Sequence, residues 1–322
     1  MRFHHYAILF LLAAGLAFFA FNGWIQQSLQ MPGPLAKNTI VYIEPGSGTK
    51  KIAAQLYEEG AIESPFIFSW GVKKAAVSLK AGEYEILEAA STQSIIDLLE
   101  SGKTYQRRVT VPEGLTSQEI VDIVNAAEVM TGKIETVPPE GTLLPETYNY
   151  SRGDTRDSVV ERMSKAMKTT IADLWSNHTE NPLLKTSEDA VTLASIVERE
   201  TALAAERPRV AGVFFNRLKI NMPLQSDPTV IYALTGGKAK LGRLLTRSDL
   251  SYASPYNTYE NPGLPPGPIA NPGRASLEAV LAPEANEYIY FVANGTGGHT
   301  FAKTLDEHNH NVAKWREAQQ QK

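Results

Sequence analysis

The chain has 322 residues, 43% of them apolar and 20% charged, which is enough to bury one large or two ordinary cores and excludes a disordered tail protein. Thirty-one Lys and Arg against 35 Asp and Glu give a formal charge of −4 without a long basic run, so there is no electrostatic footprint for nucleic acid. Cysteine is absent, which removes disulfides, thiolate metal sites and cysteine nucleophiles and leaves any catalysis to oxygen and nitrogen groups.

Residues 6–25 (YAILFLLAAGLAFFAFNGWI) carry no charge and are long enough as a helix to cross about 30 Å of hydrocarbon. A cleaved signal peptide is the alternative, but its apolar stretch is usually shorter, and Trp24 stands where a small residue would precede a cleavage site. The stub ahead of it carries Arg2 and the terminal amine, so residues 1–25 read as a cytoplasmic stub and single-pass anchor with the body exported. Residues 26–37, broken by Pro32, Gly33 and Pro34, read as a spacer.

Residues 38–138 repeat one theme three times, from Thr39, Glu83 and Arg108: an alternating strand, a turn of small residues and an amphipathic helix. Thr116 and Glu119 resemble a capping box opening a helix over 119–127. Gly46-Ser47-Gly48-Thr49-Lys50 lacks the spacing and ending of a phosphate-binding loop, so nucleotide binding is not expected. Beyond Pro138-Pro139 a second domain, 139–322, is expected, with helices over about 155–175, 187–205 and 207–219. A proline-rich loop follows over 222–273, then a buried strand at 288–293, a glycine turn and a helix from Leu305.

On a helical wheel of 187–205, Leu193, Ile196, Val197, Leu203 and Ala204 form one apolar face with Glu200 in its middle. Glu198 projects to the opposite, polar side with Ser195 and Glu206, as a solvated neighbour. A carboxyl on an apolar stripe is costly unless protonated or paired, and desolvation raises its pKa toward what a general acid needs. Glu200 is therefore either a general acid or the partner of a nearby arginine such as Arg207 or Arg217.

Five segments in order resemble the YceG-like family of membrane-anchored endolytic murein transglycosylases: EGTLLPETYNY at 140–150, LASIVERETA at 193–202, VAGVFFNRLKINMPLQSDPTVIYAL at 210–234, YNTYENPGLPPGPIANPG at 256–273 and YFVANGTGGHTF at 290–301. The first departs from the commoner aromatic-rich, Asp-containing form in having Leu143-Leu144 and Glu146. The resemblance implies an α+β fold: a transmembrane helix, a small LysM-like strand–helix module that binds glycan, and a mixed α+β catalytic domain. It implies Glu200 as the catalytic residue, cleaving between N-acetylmuramic acid and N-acetylglucosamine to leave 1,6-anhydro ends. It implies as well an inner-membrane location with a periplasmic body, peptidoglycan strands as substrate and peptidoglycan synthases as neighbours. No cofactor or metal is expected.

Neutral polar groups in the matched segments, namely Tyr148, Gln225, Tyr256, Asn257, Thr258, Tyr259 and His299, together with Asp227, are expected to line the cleft. Each has a plainer reading: Asp227 as an N-cap, Tyr148 and Tyr150 as core aromatics, His299, His308 and His310 as surface groups rather than ligands. Two other functions fit the residues: a non-catalytic peptidoglycan-binding or assembly protein, and a two-carboxylate muramidase using Glu146 or Asp227 beside Glu200.

Overall fold

The computed structural model describes residues 2–320. Met1, whose amine belongs to the expected positive stub, lies outside the described residues, as does the side chain of Arg2. The chain forms two compact units, Met1–Arg107 and Arg108–Lys322. The division falls at 107/108 where the composition change had suggested 138/139, and the third strand–turn–helix repeat belongs to the second unit.

The first unit opens with α1 (Arg2–Gln30), within which Ile8–Gln30 is long and apolar enough to cross a membrane. The helix does not stop at Ile25. It continues through Gln30, and Ile25 and Leu29 are 0% and 2% exposed in the core of this unit, so the start of the expected spacer is a packed helical turn. Leu29 lies against Gly71, where a Cβ would come within 2.9 Å of it and 2.8 Å of Ile96, so a side chain there would force both to shift. Then follow β1 (Thr39–Ile43), α2 (Thr49–Glu58), α3 (Pro65–Ala75), β2 (Gly82–Ile86) and α4 (Thr92–Ser101). β1 and β2 pair antiparallel, Val41 opposite Tyr84, and the two helices between them cover one face. α3 has the start signals of a Ser64 N-cap and Pro65 in the first turn, yet its aromatic-rich sequence hides the helical period and escaped the pattern reading.

In the second unit β3 (Arg107–Thr110) pairs with β4 (Thr147–Tyr150), and α5 (Ser117–Ala126) starts at a true capping box between Thr116 and Glu119. α6 (Arg156–Ser176) is tied to this layer by Arg156, whose guanidinium donates to the carbonyls of Val124, Ala127, Met130 and Gly132. The main core surrounds α7 (Ser187–Glu200), where every residue from Ala190 to Val197 is buried. α8 (Arg207–Lys219), α9 (Asp227–Thr235) and α10 (Arg274–Leu281) pack against α7. β5 (Tyr290–Ala293) and β6 (His299–Ala302) form an antiparallel hairpin, followed by α11 (Leu305–Gln320).

Three expectations change here. α7 ends at Glu200, not 205, because Thr201 turns extended (φ −137°); Leu203, placed on the apolar face, is 42% exposed. The 222–273 segment contains α9, which is apolar on most sides and so carries no amphipathic signal. The strand expected to be buried at 288–293 is half-buried and belongs to a hairpin whose second strand was not foreseen.

Candidate active site

Two consequences follow from α7 being buried all round. Its polar side does not meet water: Ser195 Oγ accepts from the backbone N–H of Ile269 at 3.0 Å and donates to the Thr192 carbonyl at 2.7 Å. Glu198, expected to be solvated, has a side chain only 4% exposed. It accepts from Arg207 Nη2 at 2.7 Å and from the Gly273 N–H at 2.9 Å, and Arg207 also reaches Glu113 at 2.9 Å. A Cβ on Gly273 would collide with the Glu113 carboxylate, so a larger residue there would displace that side chain from Arg207. Burial raises the Glu198 pKa above its ordinary value, against the hydrogen bond from the Gly273 N–H and the Arg207 charge. Arg207 is thus the partner of Glu198 and Glu113, not of Glu200.

Glu200 is the last residue of α7, on the same face as Leu193, Ile196 and Val197, all 0% exposed. The residue keeps partial exposure at the helix end, while its carboxyl sits in a dense shell of protein atoms. Among the described residues it forms no ion pair; Oε1 accepts from Ser226 Oγ at 2.5 Å. Removal from water pushes the carboxyl from 4.5 up to about 7; the Ser226 hydroxyl opposes this, Asp227 adds to it, and His299 and Arg217 oppose it. The negative end of the α7 dipole acts in the raising direction as well. Arg217 is held by the carbonyls of Ile289 (2.7 Å) and Leu224 (2.5 Å), so it contributes field without contact.

The other groups around Glu200 come from three segments. Asp227 is exposed at the first position of α9, one residue inside the N-cap, where the helix dipole favours a carboxylate. Its Oδ1 accepts from the Tyr259 hydroxyl at 2.7 Å, and burial followed by this bond drives the Tyr259 phenol upward. His299 opens β6, with Nδ1 2.8 Å from Glu206 Oε2 and its N–H donating to Glu206 Oε1 at 3.0 Å. A Cβ on Gly298 would come within 2.6 Å of that carboxylate, so glycine is what lets Glu206 reach the strand. Despite the raising effect of its burial, the His299 contacts hold the Glu206 carboxyl below the usual range.

Of the expected cleft residues, Glu200, Asp227, Tyr259 and His299 form this cluster, and Gln225 is exposed beside Ser226. Tyr256 is half-buried, its ring 4.9 Å from that of Tyr232. Asn257 and Thr258 do not line a cleft: they are 0% and 1% exposed. Asn257 donates to the Leu250 and Tyr252 carbonyls, while Thr258 Oγ1 accepts from the Ser226 N–H at 3.0 Å. Tyr148 belongs to the β3–β4 core, its hydroxyl donating to the Leu144 carbonyl. Ser226 was missed, although it stands between Gln225 and Asp227 and immediately before a helix with Pro in its first turn.

A carboxyl poised near neutrality, with one oxygen hydrogen-bonded and a carboxylate, an imidazole and a phenol around it, is an arrangement able to give up and take back a proton near pH 7. The chain belongs to the YceG-like family, whose description matches residues 41–314. It is 36% identical over 309 residues to the endolytic murein transglycosylase of Bacillus subtilis (strain 168), covering 85% of this chain and 84% of that protein. Against the endolytic murein transglycosylase of Streptococcus pneumoniae serotype 2 (strain D39 / NCTC 7466) it is 30% identical over 353 residues, covering 94% of this chain but 63% of the relative. A crystal structure of a yceG-like protein from Listeria monocytogenes superposes with a TM-score of 0.53 at 34% identity, over 85% of this chain and 99% of that one.

Proposed function

We propose that this chain is an endolytic murein transglycosylase in which Glu200 serves first as acid and then as base. The observation that carries the reading is the Glu200 carboxyl raised to about 7, which keeps a proton available at neutral pH. Protonated Glu200 donates to the glycosidic oxygen as the bond to the muramyl anomeric carbon breaks. The resulting carboxylate takes the proton of the muramyl C6 hydroxyl, whose oxygen closes on the anomeric carbon to give a 1,6-anhydro end and a free hydroxyl on the leaving sugar. No water is consumed, and one carboxyl suffices. Asp227 carries negative charge toward the developing oxocarbenium ion, and Tyr259 and His299 offer hydrogen bonds to sugar hydroxyl and acetamido groups.

The first unit supports a glycan-binding, LysM-like role through its order β1–α2–α3–β2, two antiparallel strands enclosing two helices. The uncleaved anchor is supported by the burial of Ile25 and Leu29, because removing α1 as a signal peptide would strip two residues from that core. With the stub in the cytoplasm, the catalytic unit works outside the membrane on strands near the bilayer, alongside the complexes that synthesise them.

The proximity of Asp227 also supports a second reading, a two-carboxylate hydrolase working through water. Mass spectrometry of muropeptides released from purified peptidoglycan separates the two. Anhydro ends, lost in Glu200→Gln, are expected; reducing ends would replace this mechanism with the hydrolase, and no products from the folded protein would leave a binding protein.

A further inference from the structure

Ser226 occupies the N-cap of α9, where a serine side chain ordinarily accepts from an N–H in the first turn and stabilises the helix by about 1 kcal/mol. Here it makes no such bond. Its hydroxyl points the other way and donates to Glu200 Oε1 at 2.5 Å. The Ser226 backbone is held instead by a fully buried hydroxyl network: Thr229 Oγ1 donates to the Ser226 carbonyl at 2.7 Å and lies 2.8 Å from Thr258 Oγ1, which accepts the Ser226 N–H. Ser226, Thr229 and Thr258 are each at most 1% exposed.

The approach to Ser226 is equally fixed. Gln225 sits in the left-handed region at φ +48°, a conformation that costs a non-glycine residue of order 1 kcal/mol, and its N–H donates to the Thr258 carbonyl at 3.0 Å. A loop that gives up a helix cap, adopts a disfavoured backbone angle and buries three hydroxyls is over-determined about one outcome, the placement of a single donor.

Resting on the reading of Glu200 as acid and base, we propose that Ser226 is a positioning residue that fixes Glu200 Oε1 and thereby assigns both proton transfers to Oε2. The hydrogen bonds among the described residues leave Oε2 uncommitted. With Oε1 held, the carboxyl cannot rotate its two oxygens between roles. The proton leaves Oε2 for the glycosidic oxygen, and the same atom is presented to the C6 hydroxyl. Because a donor favours the ionised form, Ser226 also limits how far burial raises the carboxyl. The charged and titratable groups facing Glu200 are Asp227 from α9, Arg217 from α8, His299 from β6 and Tyr259 from the loop before Asn261. None of them changes in the variants below.

The test uses the full chain in detergent with purified peptidoglycan and the series Ser226, Ser226→Cys and Ser226→Ala. Two readouts are taken: the pH profile of turnover, and the titration of the Glu200 carboxyl by infrared difference spectroscopy against Glu200→Gln. In Ser226→Ala, kcat falls about tenfold with KM changed less than twofold, and the carboxyl titration moves up by about one pH unit. Ser226→Cys, a weaker donor of similar size, falls between. A titration that stays in place in both variants, or a loss confined to KM, overturns the proposal. Activity surviving in Glu200→Gln overturns the acid–base reading instead, and the titration shift remains readable either way. An Ala variant that fails to fold leaves the decision to Ser226→Cys, whose added bulk is under one methyl group.

Discussion

Glu200→Gln separates function from stability in opposite directions. The wild-type carboxyl titrates near 7 in the folded protein against 4.5 for the free group, so the folded state holds this proton more tightly than the unfolded state does. The sign follows: the contribution to stability is fully present below pH 4.5, declines as pH rises through about 7, and is flat above. Two and a half pKa units correspond to about 3 kcal/mol of proton-linked destabilisation at pH 8. Glutamine keeps the shape and can still accept from Ser226, but buries an amide, which returns about 1–2 kcal/mol of that. The expected net effect is a variant about 1–2 kcal/mol more stable than wild type at pH 8 and no more stable at pH 4. Urea denaturation of the full chain in detergent at both pH values measures it, beside muropeptide release, which should vanish in the variant and decline above about pH 7 in wild type. An equal stability difference at both pH values would refute the buried, raised carboxyl and with it the acid role.

Glu198→Gln removes one of two carboxylates from buried Arg207, with Glu113 remaining, and should cost about 2 kcal/mol in denaturation while activity per folded molecule is retained. Arg156→Ala removes four hydrogen bonds to backbone carbonyls and should lower stability by about 2–4 kcal/mol, with earlier proteolysis in 124–132. Leu29→Ala, at 2% exposure, should destabilise the first unit by about 2–4 kcal/mol without affecting the second, readable as hydrogen exchange confined to residues before 107.

The repeats legible in the sequence are those whose helices have one wet face: α2, α4 and α5 all follow the strand–turn–helix reading. α3 was illegible for the opposite reason, since a helix apolar on most sides shows no period, and α9 showed only its start, one residue off, in the reading of Asp227 as an N-cap. The same limit explains Glu198. A wheel ranks faces by polarity but does not say what covers the polar one, and here the 263–273 segment and Arg207 do. Glu200 was legible because its neighbours Leu193, Ile196 and Val197 fix its side of the helix within the last two turns. Ser226 was not, because its usual capping role is invisible as a vacancy until the hydroxyl is seen turned toward Glu200.

The continuity of α1 into the core of the first unit governs how far that unit can stand off from a bilayer. A helix rises about 1.5 Å per residue, so the stretch from Ile8 to Trp24 covers about 25 Å, most of a hydrocarbon slab of about 30 Å. Ile25 and Leu29 are already inside the folded unit. With α1 seated in a membrane there is no slack cord between them: the first unit sits at headgroup level on a stiff post, able to turn with the helix but not to drift outward. A flexible insert after Trp24 would lengthen that reach and at the same time cut the post loose from its socket.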